Sequence, residues 1–206
     1  LVVTRGVGTL GLNPNRCRHP SVIIIADKIQ LYPPALYERG MEIITVPTVR
    51  NLHSALNPAI KSLNYLNNIL AKIEANNAGC EEAIMLNTQG YVAECSGENV
   101  FVSRHDKLIT PPLSAGALEG ITQSTVITLA RDLGYVRVLD NLARSDLYIA
   151  EEMFLVGTAA EVSSVNSVDD RSIPCPGPKT QAIAELYGRV VRGQEDRYKD
   201  WCELAV

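Results

Sequence analysis

Little in this sequence could build a metal centre, a disulfide framework or a membrane span. Only three histidines occur, His19, His53 and His105, and none is flanked by another ligand type, so no metal site is expected. The five cysteines, Cys17, Cys80, Cys95, Cys175 and Cys202, are odd in number, scattered, and include no Cys-x-x-Cys pair. That pattern argues against disulfides and zinc and for a reducing cytoplasm. The longest apolar run, Val22-Ile23-Ile24-Ile25-Ala26, falls well short of the ~20 residues that cross a bilayer. No signal or transit peptide is expected. Acidic residues outnumber basic ones, 23 against 19, and no basic patch interleaved with aromatics is visible, which disfavours nucleic acid as a partner.

What the sequence does have is a globular balance. Hydrophobic residues make up 46% and charged residues 20%, too apolar for a disordered chain. Its 206 residues suit one medium domain, or one domain and part of another. No repeat or low-complexity segment interrupts it.

Patterning gives a mixed order of elements. Leu1-Val2-Val3-Thr4 reads as a strand interior, Val22 to Ala26 as a buried strand, and Asp27 to Leu36, with Pro33-Pro34, as a loop or linker. Met41 to Val46, Ala83 to Leu86, Val100 to Ser103, Leu108 to Thr110, Tyr135 to Leu139 and Met153 to Val156 read as strands, with a hairpin turn at Asn87 to Gly90. A helix follows Lys61 to about Asn76 and is closed by Asn76-Asn77-Ala78-Gly79. Leu66, Ile69, Leu70 and Ile73 stand at i, i+3, i+4, i+7 and predict its buried face. Further helices are expected from Gly120-Ile121-Thr122 to Gly134, after a Ser145 cap, and from Lys179 to Val191. Strands and helices without strict βαβ alternation indicate an α+β fold.

Four segments can carry chemistry. In Ile60-Lys61-Ser62-Leu63-Asn64-Tyr65-Leu66-Asn67-Asn68 a lysine lies at the rim of an apolar helix face, where lost hydration lowers an amine pKa, as a nucleophilic lysine requires; an ordinary solvated lysine is the alternative. In Tyr91-Val92-Ala93-Glu94-Cys95-Ser96-Gly97-Glu98-Asn99-Val100-Phe101 two acids flank a turn between strands; they are either site carboxylates or solvated ones. Gly116-Ala117-Leu118-Glu119-Gly120-Ile121-Thr122 opens a helix with a glycine and a Thr hydroxyl, the makings of a phosphate site or of a plain helix start. In Gly157-Thr158-Ala159-Ala160-Glu161 small residues after a strand let backbone approach a ligand, or simply turn.

Together and in this order, over about residues 48 to 175, these four segments resemble those of the class IV (fold type IV) aminotransferases, enzymes that use pyridoxal phosphate. Tyr65 and the paired asparagines make the chain most similar to the branched-chain amino acid aminotransferases. The resemblance implies that Lys61 forms the Schiff base with the cofactor aldehyde and transfers the proton between substrate and cofactor. It implies that Tyr65 bonds the phenolic oxygen, Glu94 the protonated ring nitrogen, and Glu98 braces the turn. Leu118 would pack on the ring, and Gly120, Ile121, Thr122, Gly157 and Thr158 would hold the phosphate end. The backbone N–H groups of Thr158 and Ala159 would face the substrate carboxylate.

The same resemblance implies the domain plan and the partners. Residues 1–36 would be the remainder of a small N-terminal α/β domain and its linker, and 37–206 the large cofactor-bearing domain. The substrates would be L-leucine, isoleucine or valine and 2-oxoglutarate, amino acid and 2-oxo acid, and the assembly a homodimer or larger homo-oligomer. Leu10 and Leu12, after Thr4-Arg5-Gly6, stand where the D-amino acid subgroup has Arg-x-His, and Ser62-Leu63-Asn64-Tyr65 stands where the aminodeoxychorismate lyases have His-Leu-Asn-Arg. An apolar Gly8–Leu12 loop suits a branched aliphatic side chain; the plainer alternative is that the two leucines pack the loop. The family's phosphate-pairing arginine has no counterpart here, and a preceding segment is expected to supply it. The stretch near Pro174-Cys175-Pro176 looks shorter than the family's loop. A lyase of the same fold, and a truncated non-catalytic form, stay as alternatives.

Overall fold

The computed structural model describes residues 1–29 and 31–202. By its contacts the chain divides into two compact units, Leu1–Gln30 and Leu31–Val206. The first holds an antiparallel pair, β1 (Val2–Thr4) and β2 (Ser21–Ile23), with Val3 opposite Val22. The expected buried strand at Val22–Ala26 is corrected here. Its regular part ends at Ile23, and Val22, Ile24 and Ile25 are exposed, because two short strands have no second layer within the unit to cover them. Leu10 and Leu12 are also fully exposed and pack no loop.

The second unit is built on a mixed sheet. Its elements in order are α1 (Pro34–Arg39), β3 (Met41–Val46), α2 (Leu66–Asn77), β4 (Glu82–Leu86), β5 (Val92–Cys95), β6 (Asn99–Arg104), β7 (Lys107–Thr110), α3 (Ile121–Asp132), β8 (Val136–Leu139), α4 (Arg144–Tyr148), β9 (Glu152–Gly157), β10 (Glu161–Val168), β11 (Arg171–Ser172) and α5 (Pro178–Val191). The strands lie in the order β5-β4-β3-β10-β9-β6-β7-β8, with β11 added on β10. β3 runs parallel to both β4 and β10, and β7 parallel to β8; the other pairs are antiparallel.

Two-residue periodicity sorts the side chains of the central strands between two cores. Val100 and Val102 of β6 and Met153 and Leu155 of β9 enter one core with Met41, Ile43, Ile84 and Leu147. Phe101, Phe154 and Val156 point the other way, under Val126 and Leu129 of α3 and Ile183 and Leu186 of α5. Phe101 and Phe154 are register partners and stack with ring centroids 5.0 Å apart. Glu152, buried on β9, closes the start of α5: its carboxylate accepts from the Lys179 and Thr180 N–H groups and the Thr180 hydroxyl.

Four further expectations need correction. The Leu66, Ile69, Leu70 and Ile73 face of α2 is exposed; the helix packs instead through Asn68, Ala71 and Ala75 onto Val46, Ala83 and Met85, where only small side chains fit. Pro33-Pro34 does not prolong a linker but starts α1, since a first-turn proline sacrifices no helical hydrogen bond. Residues 31–36 therefore belong to the second unit, with Leu36 buried and Tyr32 packed against the core. Ser145 lies inside α4, whose first turn is held by the Asp146 carboxylate accepting the Ala143 N–H at 2.8 Å.

Candidate active site

A cavity of about 320 Å³ opens in the second unit at the ends of β5, β6 and β9 and the start of α3. It is lined by Lys61, Tyr65, Glu94, Leu118, Gly120, Ile121, Thr122, Gly157 and Thr158, together with Glu98 and Asn99 among others. All the expected site residues thus meet in one place except Ala159, which lies exposed in the turn after β9 and is not part of the lining.

Lys61 sits on the irregular segment between β3 and α2, five residues before the helix begins and not at its first turn. Its side chain reaches over the Tyr65 ring, with Nζ 5.6 Å from the centroid. The lysine is exposed, because the apolar face expected to desolvate it is itself exposed. Tyr65 occupies the position just before α2 and is half-buried.

Glu94 is the best-braced group at the site. β5 is buried along its whole length, and Glu94 within it is 5% exposed. One oxygen accepts from the Arg50 guanidinium; the other takes the Leu118 N–H at 2.8 Å and the Asn99 amide at 3.0 Å. Burial pushes the carboxyl up to about 7, while Arg50, the Leu118 N–H and Lys61 draw it back toward the ionised form.

The sequence assigned no role at the site to Arg50, Asn68 or Asn99, although the Asn67-Asn68 pair marked the subgroup resemblance. Arg50 is 5% exposed and spends its fork on three partners: Glu94, the Asn68 side-chain oxygen at 2.7 Å and the Gly116 carbonyl at 3.1 Å. Asn68 passes its own amide to the Ser96 carbonyl at 2.7 Å, so α2 is tied to the turn that follows Glu94. Arg50 and Glu94 lie 44 residues apart, and no local pattern joins them. Asn68 had a signal: it is the polar residue on a helix stripe otherwise made of alanines.

Gly120 precedes α3 for a reason of space. A Cβ there would come within 2.1 Å of Asn99 Oδ1, so the turn can approach Asn99 only with a bare backbone. No side chain among the described residues caps the helix. The first-turn N–H groups are thus left without a side-chain cap at the edge of the cavity that Gly120, Ile121 and Thr122 line, with the helix dipole behind them and the Thr122 hydroxyl, on a buried residue, beside them. Across the cavity, Asn99 pairs with Val156 in the β6–β9 ladder and brings Gly157 and Thr158 to the rim. The arrangement offers an amine, a hydrogen-bonded buried carboxylate, a phenol and an anion-binding helix end within one small volume.

Residues 1–168 match the family described as amino-transferase class IV. The chain belongs to the class IV aminotransferases. The expected α+β architecture is the one found, and solved members share it. A branched-chain aminotransferase from Thermoproteus uzoniensis, solved with norvaline, superposes with a TM-score of 0.78 at 45% identity, covering 80% of this chain and 55% of that one. The Thermobaculum terrenum branched-chain aminotransferase in its PLP form gives 0.77 at 40% identity, covering 79% and 54%. A Methanocaldococcus jannaschii protein, named provisionally as a branched-chain-amino-acid aminotransferase, is 48% identical over 200 residues, 97% of this chain and 65% of its own length. The chain thus spans just over half to about two thirds of these class IV relatives.

Proposed function

We propose that this chain is the cofactor-bearing part of a branched-chain amino acid aminotransferase. It exchanges the amino group of L-leucine, isoleucine or valine with 2-oxoglutarate, using pyridoxal 5'-phosphate. One observation carries the reading: Lys61, Tyr65, Glu94, the start of α3 and the Gly157–Thr158 rim, distant in sequence, line the same cavity. The names of the relatives support it, and one of those solved structures is in its PLP form. The first unit is read as the remainder of the family's small domain.

The residues present fit the cofactor. The uncapped α3 terminus, with the Ile121 and Thr122 N–H groups and the hydroxyls of Thr122 and Thr158, suits a phosphate. Glu94 has three donors on its two oxygens. A carboxylate has about four lone-pair sites, so one is left for a protonated ring nitrogen. Tyr65 and Leu118, both in the cavity lining, would bond the phenolic oxygen and pack on the ring face. Bound there, pyridoxal phosphate would supply an aldehyde for the amine and a ring that accepts the electron pair released at the substrate α-carbon. The Lys61 amine would serve as the base that accepts the substrate α-proton and as the acid that returns it. Glu94 would accept a hydrogen bond from the protonated ring nitrogen. The Thr158 N–H at the rim would orient the substrate carboxylate, with that of Ala159 in the exposed turn beyond it.

An absorbance titration tests this reading. Pyridoxal phosphate added to the protein should raise a visible band, and L-leucine should then convert it to that of the amino form of the cofactor. No band at saturating cofactor, or a band that D-alanine shifts and L-leucine does not, would sink the assignment.

A homodimer or larger homo-oligomer belongs to the same proposal, supported by the exposed Leu66–Ile69–Leu70–Ile73 face of α2. Charging it with Leu70→Lys and Ile73→Lys is expected to reduce the sedimenting mass; an unchanged mass would place the interface elsewhere. A cytoplasmic location is proposed as well, since all five cysteines are free. No helix among the described residues is long and apolar enough to cross a membrane.

A further inference from the structure

Beside the cavity, β4 and the turn after β5 bury two carboxyl groups against each other. Glu82 is 2% exposed and Glu98 5%. The two have very different surroundings. Glu82 Oε1 accepts from the Ala83 N–H at 2.6 Å, the Ser96 N–H at 3.2 Å and the Ser96 hydroxyl, and Oε2 takes the Lys72 ammonium at 3.2 Å. Four donors on one carboxylate, one of them a cation, describe an ionised group. Glu98 has a single donor, the Tyr32 hydroxyl, 2.9 Å from Oε1. Its Oε2 is buried without a donor among the described residues, although it lies in a side chain within hydrogen-bonding reach of Glu82.

An orphaned carboxylate oxygen in a dry site is costly, and two ionised carboxylates in contact are costlier. One proton removes both problems. Placed on Glu98 Oε2 and donated to Glu82, it gives the orphan a partner and halves the buried negative charge. We propose that Glu82 and Glu98 form a carboxylic acid–carboxylate pair sharing one proton, carried on Glu98, and that neutral Glu98 is a positioning residue bracing Tyr32 and the Gly97–Asn99 turn behind Glu94. The acid pair stands independently of the proposed function; its bearing on Glu94 as a site group rests on that reading.

The groups facing Glu98 agree with this assignment. They are Tyr32 before α1 and Tyr37 within it, Lys72 on α2, Glu82 on β4 and Cys95 on β5. Lys72 is the one cation among them, and it sits on the Glu82 side of the pair. Burial above all, then the charge of Glu82, pushes the Glu98 carboxyl up to about 8, with Tyr32 and Lys72 opposing. The sign of the linkage follows. The folded state keeps a proton that the unfolded chain releases near the ordinary value of 4.5. Stability from this group is therefore full below that value and declines until pH reaches about 8.

The test is denaturant unfolding of the protein against pH, with Glu98→Gln beside the unaltered chain. Glutamine mimics the neutral acid: its amide N–H donates to Glu82 and its oxygen accepts from Tyr32. The unaltered protein should lose stability steadily between about pH 5 and about pH 8. Glu98→Gln should flatten that decline and be the more stable of the two at the upper end. The infrared carbonyl band of a protonated carboxylic acid at neutral pH should vanish in the variant. If Glu98→Gln is instead the less stable protein at about pH 8 and no such band exists, Glu98 is ionised and paired with a cation, and the shared proton is ruled out.

Discussion

Lys61→Ala is expected to abolish transamination while leaving the fold untouched. The ammonium makes no hydrogen bond or ion pair among the described residues, and its side chain is exposed over Tyr65. Removing it should change unfolding free energy by no more than about 0.5 kcal/mol, as at other exposed sites. The catalytic loss should be at least about 10²–10⁴-fold, the share a positioned proton-transfer group supplies, and more if the amine is also the point of covalent attachment. Turnover of L-leucine with 2-oxoglutarate, measured alongside denaturant unfolding, separates the two effects. Near-normal turnover in the variant would refute the role. Parallel loss of activity and stability would mean that Lys61 holds the cavity together and is not its reacting group.

Arg50→Met should do the reverse, failing first in stability. Methionine fills much of the volume but leaves Glu94, the Asn68 side-chain oxygen and the Gly116 carbonyl without their shared donor. Removing one partner of a buried ion pair typically costs about 3–5 kcal/mol, because the other charge stays behind without compensation. Glu94 would then rise further and take up a proton, so binding of pyridoxal phosphate should weaken too. Adding Glu94→Gln to Arg50→Met should recover much of the lost stability, a non-additivity that a double-mutant cycle measures directly. A cost below about 1 kcal/mol for the single change would mean that Glu94 is not held as described.

These two residues also show what the sequence can and cannot say. The place of Lys61 in the cavity was legible because its neighbours carry a recognisable pattern. The same is true of Glu94, Gly120–Thr122 and Gly157–Thr158, each in a short segment whose residue types suit a ligand. Arg50 was not legible: its role comes from a contact 44 residues away across the sheet, and the residues beside it hold no sign of that contact. The strands read at Val100–Ser103 and Met153–Val156 were found because short, mainly apolar runs there coincide with burial on both faces, within Asn99–Arg104 and Glu152–Gly157. At Leu66–Ile73 and Val22–Ala26 pattern and burial part company. Periodicity identifies an apolar face; it does not say whether the same chain covers it. For α2 the close approach of Val46, Ala83 and Met85 selects alanine, and the larger side chains are turned outward.

The place of β3 in the sheet bears on how the chain is made. It is the joint between β5-β4 on one side and β10-β9-β6-β7-β8 on the other, and its partner on the second side begins at Glu161. On a ribosome, β3 emerges early and must wait for β10, some 120 residues later. At about 5–20 residues per second that delay is roughly 6–25 s. Through that interval the first half exposes the edge of β3, a parallel-pairing strand open to the wrong partner. The Gly157–Thr158 rim of the cavity is made just before the missing strand. Closure of the sheet and completion of the site are therefore nearly one event, and a nascent chain has little opportunity to capture ligand before its sheet is whole.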